Sequence, residues 1–166
     1  MAIEINGLNV VINQLEKIQS QERLAEAINT ATLLVERAAR INASKISDGE
    51  LANSIGSNVD GLRGQVYATV SYAPYVEYGT GLFAEGEGGG RKEVPWVYVK
   101  GQESSGRAKT IHTKESAEQA VAYLREEKGL DAYMTYGQKP KPYMRPALDE
   151  NREQIKRVIG GALVSD

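Results

Sequence analysis

A chain of 166 residues with 20 Lys and Arg against 22 Asp and Glu has a formal net charge of −2, too weak a positive field to make nucleic-acid backbones its default partner. It has no Cys and one His, which excludes disulfides, thiolate metal sites, iron–sulfur clusters, thiol nucleophiles and any site needing two imidazoles. With 41% apolar and 25% charged residues it reads as one soluble domain, which at this size buries roughly 68–70% of its unfolded surface.

Its first ten residues lack a basic start followed by an apolar run, and nowhere do about 18 apolar residues run together, so neither a secretory signal nor a membrane span is read. Two counts depart from the average: 17 Gly, and nine Tyr beside one Phe and one Trp.

Val11, Leu15 and Ile18 predict a short amphipathic helix that breaks near Ser20. From Gln21 the apolar positions Leu24, Ile28, Ala31, Val35 and Ala38, widened by Leu34 and Ile41, predict a helix to about Lys45. At ~1.5 Å per residue it is about 37 Å long, more than a small domain's ~30 Å diameter, so part of its apolar face is expected to meet another subunit. Asp48 and Gly49 stop it, and residues 50–54 form a short helical turn.

The period then changes to two. Residues 56–60, a turn at Asp60 and Gly61, and residues 65–71, with Val66, Ala68 and Val70 on one face and Tyr67 and Thr69 on the other, predict a β-hairpin. In the run 72–81, Pro74 suits the first position of a helix and Gly79 the left-handed residue that ends one, giving a single turn that displays Tyr72, Tyr75 and Tyr78.

Residues 82–92, with four glycines and no periodic apolar residue, read as a mobile loop. Residues 94–100 predict a strand with Val97 and Val99 opposite Trp96 and Tyr98, and residues 101–107 a polar turn. Thr113 caps a helix carrying Ala117, Ala120, Val121 and Leu124, ended by Gly129 and Leu130. Residues 132–136 form a short strand. The three prolines of residues 139–146 impose an extended arm, and Pro146 opens a last helix with Leu148, Ile155, Val158, Ile159 and Ala162 inward.

The chemical candidates are sparse. Residues 86–90 lack the spacing of a phosphate-binding glycine loop, and no G-x-x-x-x-G-K run exists. His112 with Ser104, Ser105 or Ser116 has no nucleophile elbow around it, so a polar loop histidine is favoured. Glu77 sits between Val76 and Tyr78, where desolvation favours acid–base use, but no second carboxylate is evident, so a structural role is favoured. Asp48–Gly49–Glu50 lacks calcium-loop spacing. Lys139, Lys141 and Arg145 beside Tyr143 resemble a weak single-stranded nucleic-acid site, against which stands a proline-fixed arm ordered by its Tyr and Met. The catalytic, cofactor and metal inventories are therefore empty. Two rival readings remain: a small hydrolase using Glu77, and a weak single-stranded nucleic-acid-binding module.

Three segments in this order resemble a known family: LANSI at 51–55 ahead of the hairpin, YAPYVEYGTG at 72–81, and PKPYMRPAL at 140–148 opening the terminal helix. With the long N-terminal helix, the chain is similar to the tail-completion, or head–tail connector, proteins (minor tail components) of long-tailed bacteriophages and prophages. The resemblance implies an α+β fold in which a small antiparallel sheet packs against the long N-terminal helix and a C-terminal helix. It implies one domain over residues 1–166, with the loop at about 82–92 and an inserted hairpin plus helix at about 94–136.

It also implies a non-enzymatic assembly role at the virion neck, commonly as a homo-oligomeric ring matching the sixfold tail and touching other neck and tail proteins. DNA would pass through its channel without specific binding, and assembly would take place in the bacterial host cytoplasm. The interface candidates are Tyr72, Pro74, Tyr75, Glu77, Tyr78, Gly79, Thr80 and Gly81 in one block and Pro142, Tyr143, Met144, Arg145 and Pro146 in the other.

Overall fold

A computed structural model describes residues 8–46, 49–90, 93–101 and 113–164. Asp48, Arg91, Lys92, Ser104, Ser105 and His112 lie outside the described residues, as do the side chains of Val11 and Ile18. The architecture is mixed α+β, with six helices, one 3-10 turn and two separate two-stranded antiparallel sheets among the described residues. It divides into two compact units, residues 1–70 with 143–166, and residues 71–142. The tyrosine-bearing turn falls in the second unit.

In the first unit a single helix, α1 (Leu8–Ser44), replaces the two expected. Ser20 does not break it, because its hydroxyl donates to the Lys17 carbonyl at 2.8 Å, a bond made within the helix itself. At ~1.5 Å per residue α1 is about 55 Å long.

Its buried apolar positions among the described side chains are Ala27, Ala31, Val35, Ala39 and Ala43. Spaced by four rather than alternating three and four, they wind slowly around the helix, about 40° per step. Leu33 and Ile41, 51% and 49% exposed, are left outside, so Ile41 does not widen the stripe as expected. The sequence reading weighted bulky side chains, whereas the packed face is built mostly of alanines that let neighbouring elements come close.

The short helix α2 (Glu50–Ser54) follows, then the hairpin β1 (Ile55–Asp60) and β2 (Arg63–Ala68), paired from Ile55↔Ala68 to Asp60↔Arg63. Its two-residue loop is Gly61–Leu62. Only Gly61 has positive φ (54°), the pattern of a II′ turn rather than I′. Leu51 and Ile55 are the fully buried large side chains. The Glu36–Arg40 pair on α1 (2.7 Å) anchors β1: the Ser57 hydroxyl donates to Glu36, and Arg40 donates to the Ile55 carbonyl at 2.7 Å.

The C-terminal helix begins at Met144, not at Pro146, and is interrupted at Asn151 into α5 (Met144–Glu150) and α6 (Arg152–Leu163). Pro146 as third residue costs no helical bond, since the first four N–H groups of a helix have no intrahelical acceptor. Ala147 is buried and Leu148 is 51% exposed, which corrects the inward placement expected for Leu148. Ile155, Val158, Ile159 and Ala162 are half-buried. Both helices pack on α1, and Arg23 donates to the Val164 carbonyl at 3.0 Å.

The second unit holds α3 (Ala73–Tyr78), a 3-10 turn (Gly81–Phe83), β3 (Trp96–Val99), α4 (Lys114–Glu126) and β4 (Ala132–Thr135). β3 and β4 pair antiparallel from Trp96↔Thr135 to Val99↔Ala132. Val97, Val99, Ala132 and Met134 face Ala117, Ala120, Val121 and Leu124 of α4 in the core of this unit. Thr113 caps α4 as expected, its side chain accepting from the Ser116 N–H at 3.2 Å. Gly129 has φ 62°, and the Leu130 N–H donates to the Leu124 carbonyl at 2.9 Å.

Candidate docking surface

The 72–81 block is built as its residue types dictate. Pro74 stands in the first turn of α3, and the Tyr72 carbonyl accepts from the N–H groups of Tyr75 and Val76 at 3.0 and 3.2 Å. Gly79 ends the helix with φ 72°. The chain then runs beside residues 136–141, which lie some sixty positions later. Thr80 N–H donates to the Gln138 carbonyl and Leu82 N–H to the Tyr136 carbonyl, both at 3.0 Å. Gln138 N–H donates to the Thr80 hydroxyl at 3.0 Å, its side-chain amide donates to the Tyr75 carbonyl at 3.1 Å, and Lys141 N–H donates to the Val76 carbonyl at 2.8 Å. Residues 75–82 and 136–141 are therefore clasped together, chiefly by backbone.

The clasp explains its glycines. Gly81 (φ 63°) and Gly137 (φ 111°) are in left-handed conformations, and their backbones touch. A Cβ on Gly81 would stand 2.0 Å from the Tyr136 carbonyl oxygen, and one on Gly137 would stand 2.1 Å from that of Thr80. Neither contact can be relieved by moving a side chain, because both obstacles are backbone.

Residues 82–90, read from composition as a loop, fold back over the same turn. Glu85 N–H donates to the Tyr78 carbonyl at 2.8 Å and Gly90 N–H to that of Gly79 at 3.0 Å. The backbones of Gly88 and Gly90 lie against the rings of Tyr78 and Tyr75.

The interface candidates separate by exposure. In the second unit Pro74 and Tyr75 (47%) are exposed, while Tyr72, Tyr78 and Thr80 are half-buried. Gly79 and Gly81 are buried, and Glu77 is 4% exposed and already engaged. Two exposed side chains that the sequence reading passed over, Leu82 (66%) and Phe83 (39%), follow directly on the turn, with the Lys139 ammonium 5.9 Å from the Phe83 ring centroid. Pro142 is exposed at the end of this unit. In the first unit Arg145 is exposed, Met144 and Pro146 are half-buried, and Tyr143 is 2% exposed. The Tyr143 side chain is thus part of the protein's interior, and its carbonyl accepts from the Asn42 side-chain amide at 3.4 Å.

A second cluster was not found from sequence. Tyr98 and Tyr133, cross-strand partners on the β3–β4 face opposite α4, stack at 5.7 Å between centroids. The Arg125 guanidinium lies 5.0 Å from the Tyr133 ring centroid. A hydrogen bond to the Asp131 carboxylate, reinforced by that group's charge, raises the pKa of the Tyr133 phenol. Only strand register brings these residues together, so no local pattern announces them.

Among the described residues the chemical candidates Glu77, Ser116 and Arg145 stand on three different helices. No group of three or more Asp, Glu or His is placed to hold a metal ion there. Ser116 belongs to the α4 cap, where its hydroxyl accepts from that of Thr113 at 2.9 Å. Lys139 and Lys141 are in the second unit and Arg145 in the first. No described helix is long and apolar enough to cross a membrane.

With this geometry established, comparison with known proteins is informative over one part of the chain. The model of a family described as "Bacteriophage HK97-gp10, putative tail-component" matches residues 9–79. The span runs from the start of α1 to the glycine that caps α3. Over those residues the chain is similar to a family of phage tail components, a structural class of virion protein, which bears out the resemblance read from the motifs. No curated protein and no solved structure matches.

Proposed function

We propose that this protein is a structural component of the head–tail neck, completing the tail and joining it to the capsid connector without catalysing a reaction. The observation that carries this reading is the tail-component match over residues 9–79. In this reading the subunits form a homo-oligomeric ring matched to the sixfold tail, assembled in the host cytoplasm, and DNA passes through the channel without specific contacts. A small negative net charge suits such a lining, since it does not hold phosphates.

In the second unit docking uses Pro74 and Tyr75 on the exposed side of the clasp and Pro142 at the start of the following arm; in the first unit it uses Arg145. Tyrosine and proline there supply stiff contact area at small entropic cost, and arginine a planar fork of hydrogen-bond donors. Residues 82–90 tighten on assembly, gripping the neighbouring subunit.

The decisive experiment is to make phage without this protein and inspect the particles. Full heads beside unjoined or defective tails are expected, and normal infectious virions would refute the reading. On a finer scale, amide exchange across residues 82–90 is expected to slow on ring formation.

A further inference from the structure

The two edges of the β3–β4 sheet are treated differently. Lys100 N–H donates to the Asp131 carbonyl at 2.9 Å, one residue beyond the Val99↔Ala132 pair. Antiparallel ladders alternate, so Tyr98–Tyr133 and Trp96–Thr135 are the pairs that exchange hydrogen bonds. The peptide groups of Val97 and Val99 therefore point away from β4.

On the far side of β4 the carbonyl of Ala132, and those of Tyr136 and Gln138 just past the strand, are taken. Ala132 accepts from the Arg125 guanidinium at 2.7 Å, and Tyr136 and Gln138 accept from Leu82 and Thr80 at 3.0 Å. Among the described residues no hydrogen bond reaches the outward groups of Val97 and Val99. An open edge of this kind is a template for another strand.

We propose that this edge pairs with the same edge of a second copy of the chain, antiparallel about a two-fold axis at Tyr98. The run Trp96–Val97–Tyr98–Val99–Lys100 is complementary to itself when reversed. Val97 of one copy exchanges both ladder bonds with Val99 of the other, and the reverse pair does the same. Tyr98 then faces its counterpart in a non-hydrogen-bonded pair, the closer type, with Cα atoms about 4.5 Å apart. The existing Tyr98–Tyr133 stack is extended into a row of four rings. Lys100 comes opposite Trp96 on the same face, a cation against an aromatic ring at each end. The result is a four-stranded sheet with α4 of each copy on its other face. A foreign strand would have to supply this pattern, whereas a second copy already has it. The inference rests on strand geometry and not on the virion reading, and either can fail without the other.

The chain has no cysteine, so one introduced thiol reports the pairing. Tyr98→Cys places two thiols on Cα atoms about 4.5 Å apart, within the range a disulfide spans. Tyr133→Cys lies on the same face but three strand spacings, roughly 14 Å, from its counterpart, beyond disulfide reach. Mild oxidation of the folded protein is expected to give a covalent dimer from Tyr98→Cys and monomer from Tyr133→Cys on a non-reducing gel. Adding Val99→Pro to Tyr98→Cys removes an outward N–H without touching the β4 ladder, and is expected to cut cross-linking at least about tenfold. Equal cross-linking of the two single variants, or none from Tyr98→Cys, would overturn the proposal. Should the variants fail to fold, sedimentation of the unaltered chain decides: a monomer–dimer equilibrium supports it, and a monomer at every concentration overturns it.

Discussion

The two units hold their shape by different means. In the first, order comes from side-chain burial along α1, where four alanines and Val35 let α5, α6 and the hairpin come close and where Leu51 and Ile55 are shut from solvent. In the second, the buried apolar side chains among the described residues are few and small: Ala73, Val97, Ala117 and Ala132. Small units bury a smaller share of their surface, and here the deficit is offset by backbone: residues 80–82 and 136–138 bond to each other across glycines that touch. The first unit should therefore be sensitive to lost volume, and the second to added volume.

The largest effect tests that contrast directly. Gly81→Ala adds one methyl group, yet the methyl meets the Tyr136 carbonyl at a residue with φ 63°. A loss of about 4 kcal/mol or more is expected from combined strain and overpacking. Chemical denaturation and amide exchange would register it as opening of residues 75–90 and 136–141 while α1 stays protected. Unchanged exchange in those segments would dismiss the clasp as a source of order.

Leu51→Ala is the converse. At 0% exposure, deletion of the side chain is expected to cost about 3 kcal/mol. The denaturation midpoint should fall, with exchange rising through α1 and the hairpin rather than through β3 and β4. Equal loosening of both units would show that they unfold as one cooperative body and would erase the distinction.

Thr113→Ala should cost about 1 kcal/mol by removing the acceptor of the Ser116 N–H at the start of α4. Exchange confined to the first turn of α4 would check it.

The smallest effect is a dependence on alkaline pH. Because Asp131 favours the protonated phenol of Tyr133, its folded-state pKa lies above the unfolded value of 10.0. The folded state then holds this proton more tightly. That contribution is fully present below pH 10 and is lost as pH rises through the folded-state pKa. Tyr133→Phe should flatten the stability profile above pH 10, and an unchanged slope would assign the alkaline loss to other groups.

What could be read from sequence follows the reach of each signal. Pro74 and Gly79 bracket α3, Thr113 and Gly129 bracket α4, and the change from a helical to a two-residue period marks β1 and β2; each is decided within a few residues. Three features were misread because the deciding partner is distant or the signal faint. Ser20 looks like a break until its hydroxyl is seen to bond within the helix. Ala39 and Ala43, fully buried, have too little hydrophobic weight to stand out beside the exposed Leu33 and Ile41. Leu148 faces solvent because the helix starts two residues before Pro146 and turns Ala147 inward instead. For the docking surface, sequence singled out the 72–81 block but not its clasp with residues 136–141, since nothing near Gly81 announces Tyr136 and Gly137.

The stitching of residues 80–82 to 136–138 has a consequence for how such a protein diversifies. The chain leaves on its excursion and returns at a single root, so the excursion behaves as an exchangeable cassette. Closing a loop costs only about 0.6 kcal/mol more for each doubling of its length, so grafting a longer or shorter excursion onto this root leaves the foundation nearly untouched. Glycines at the root and freedom beyond it would let one scaffold be refitted to many neighbours.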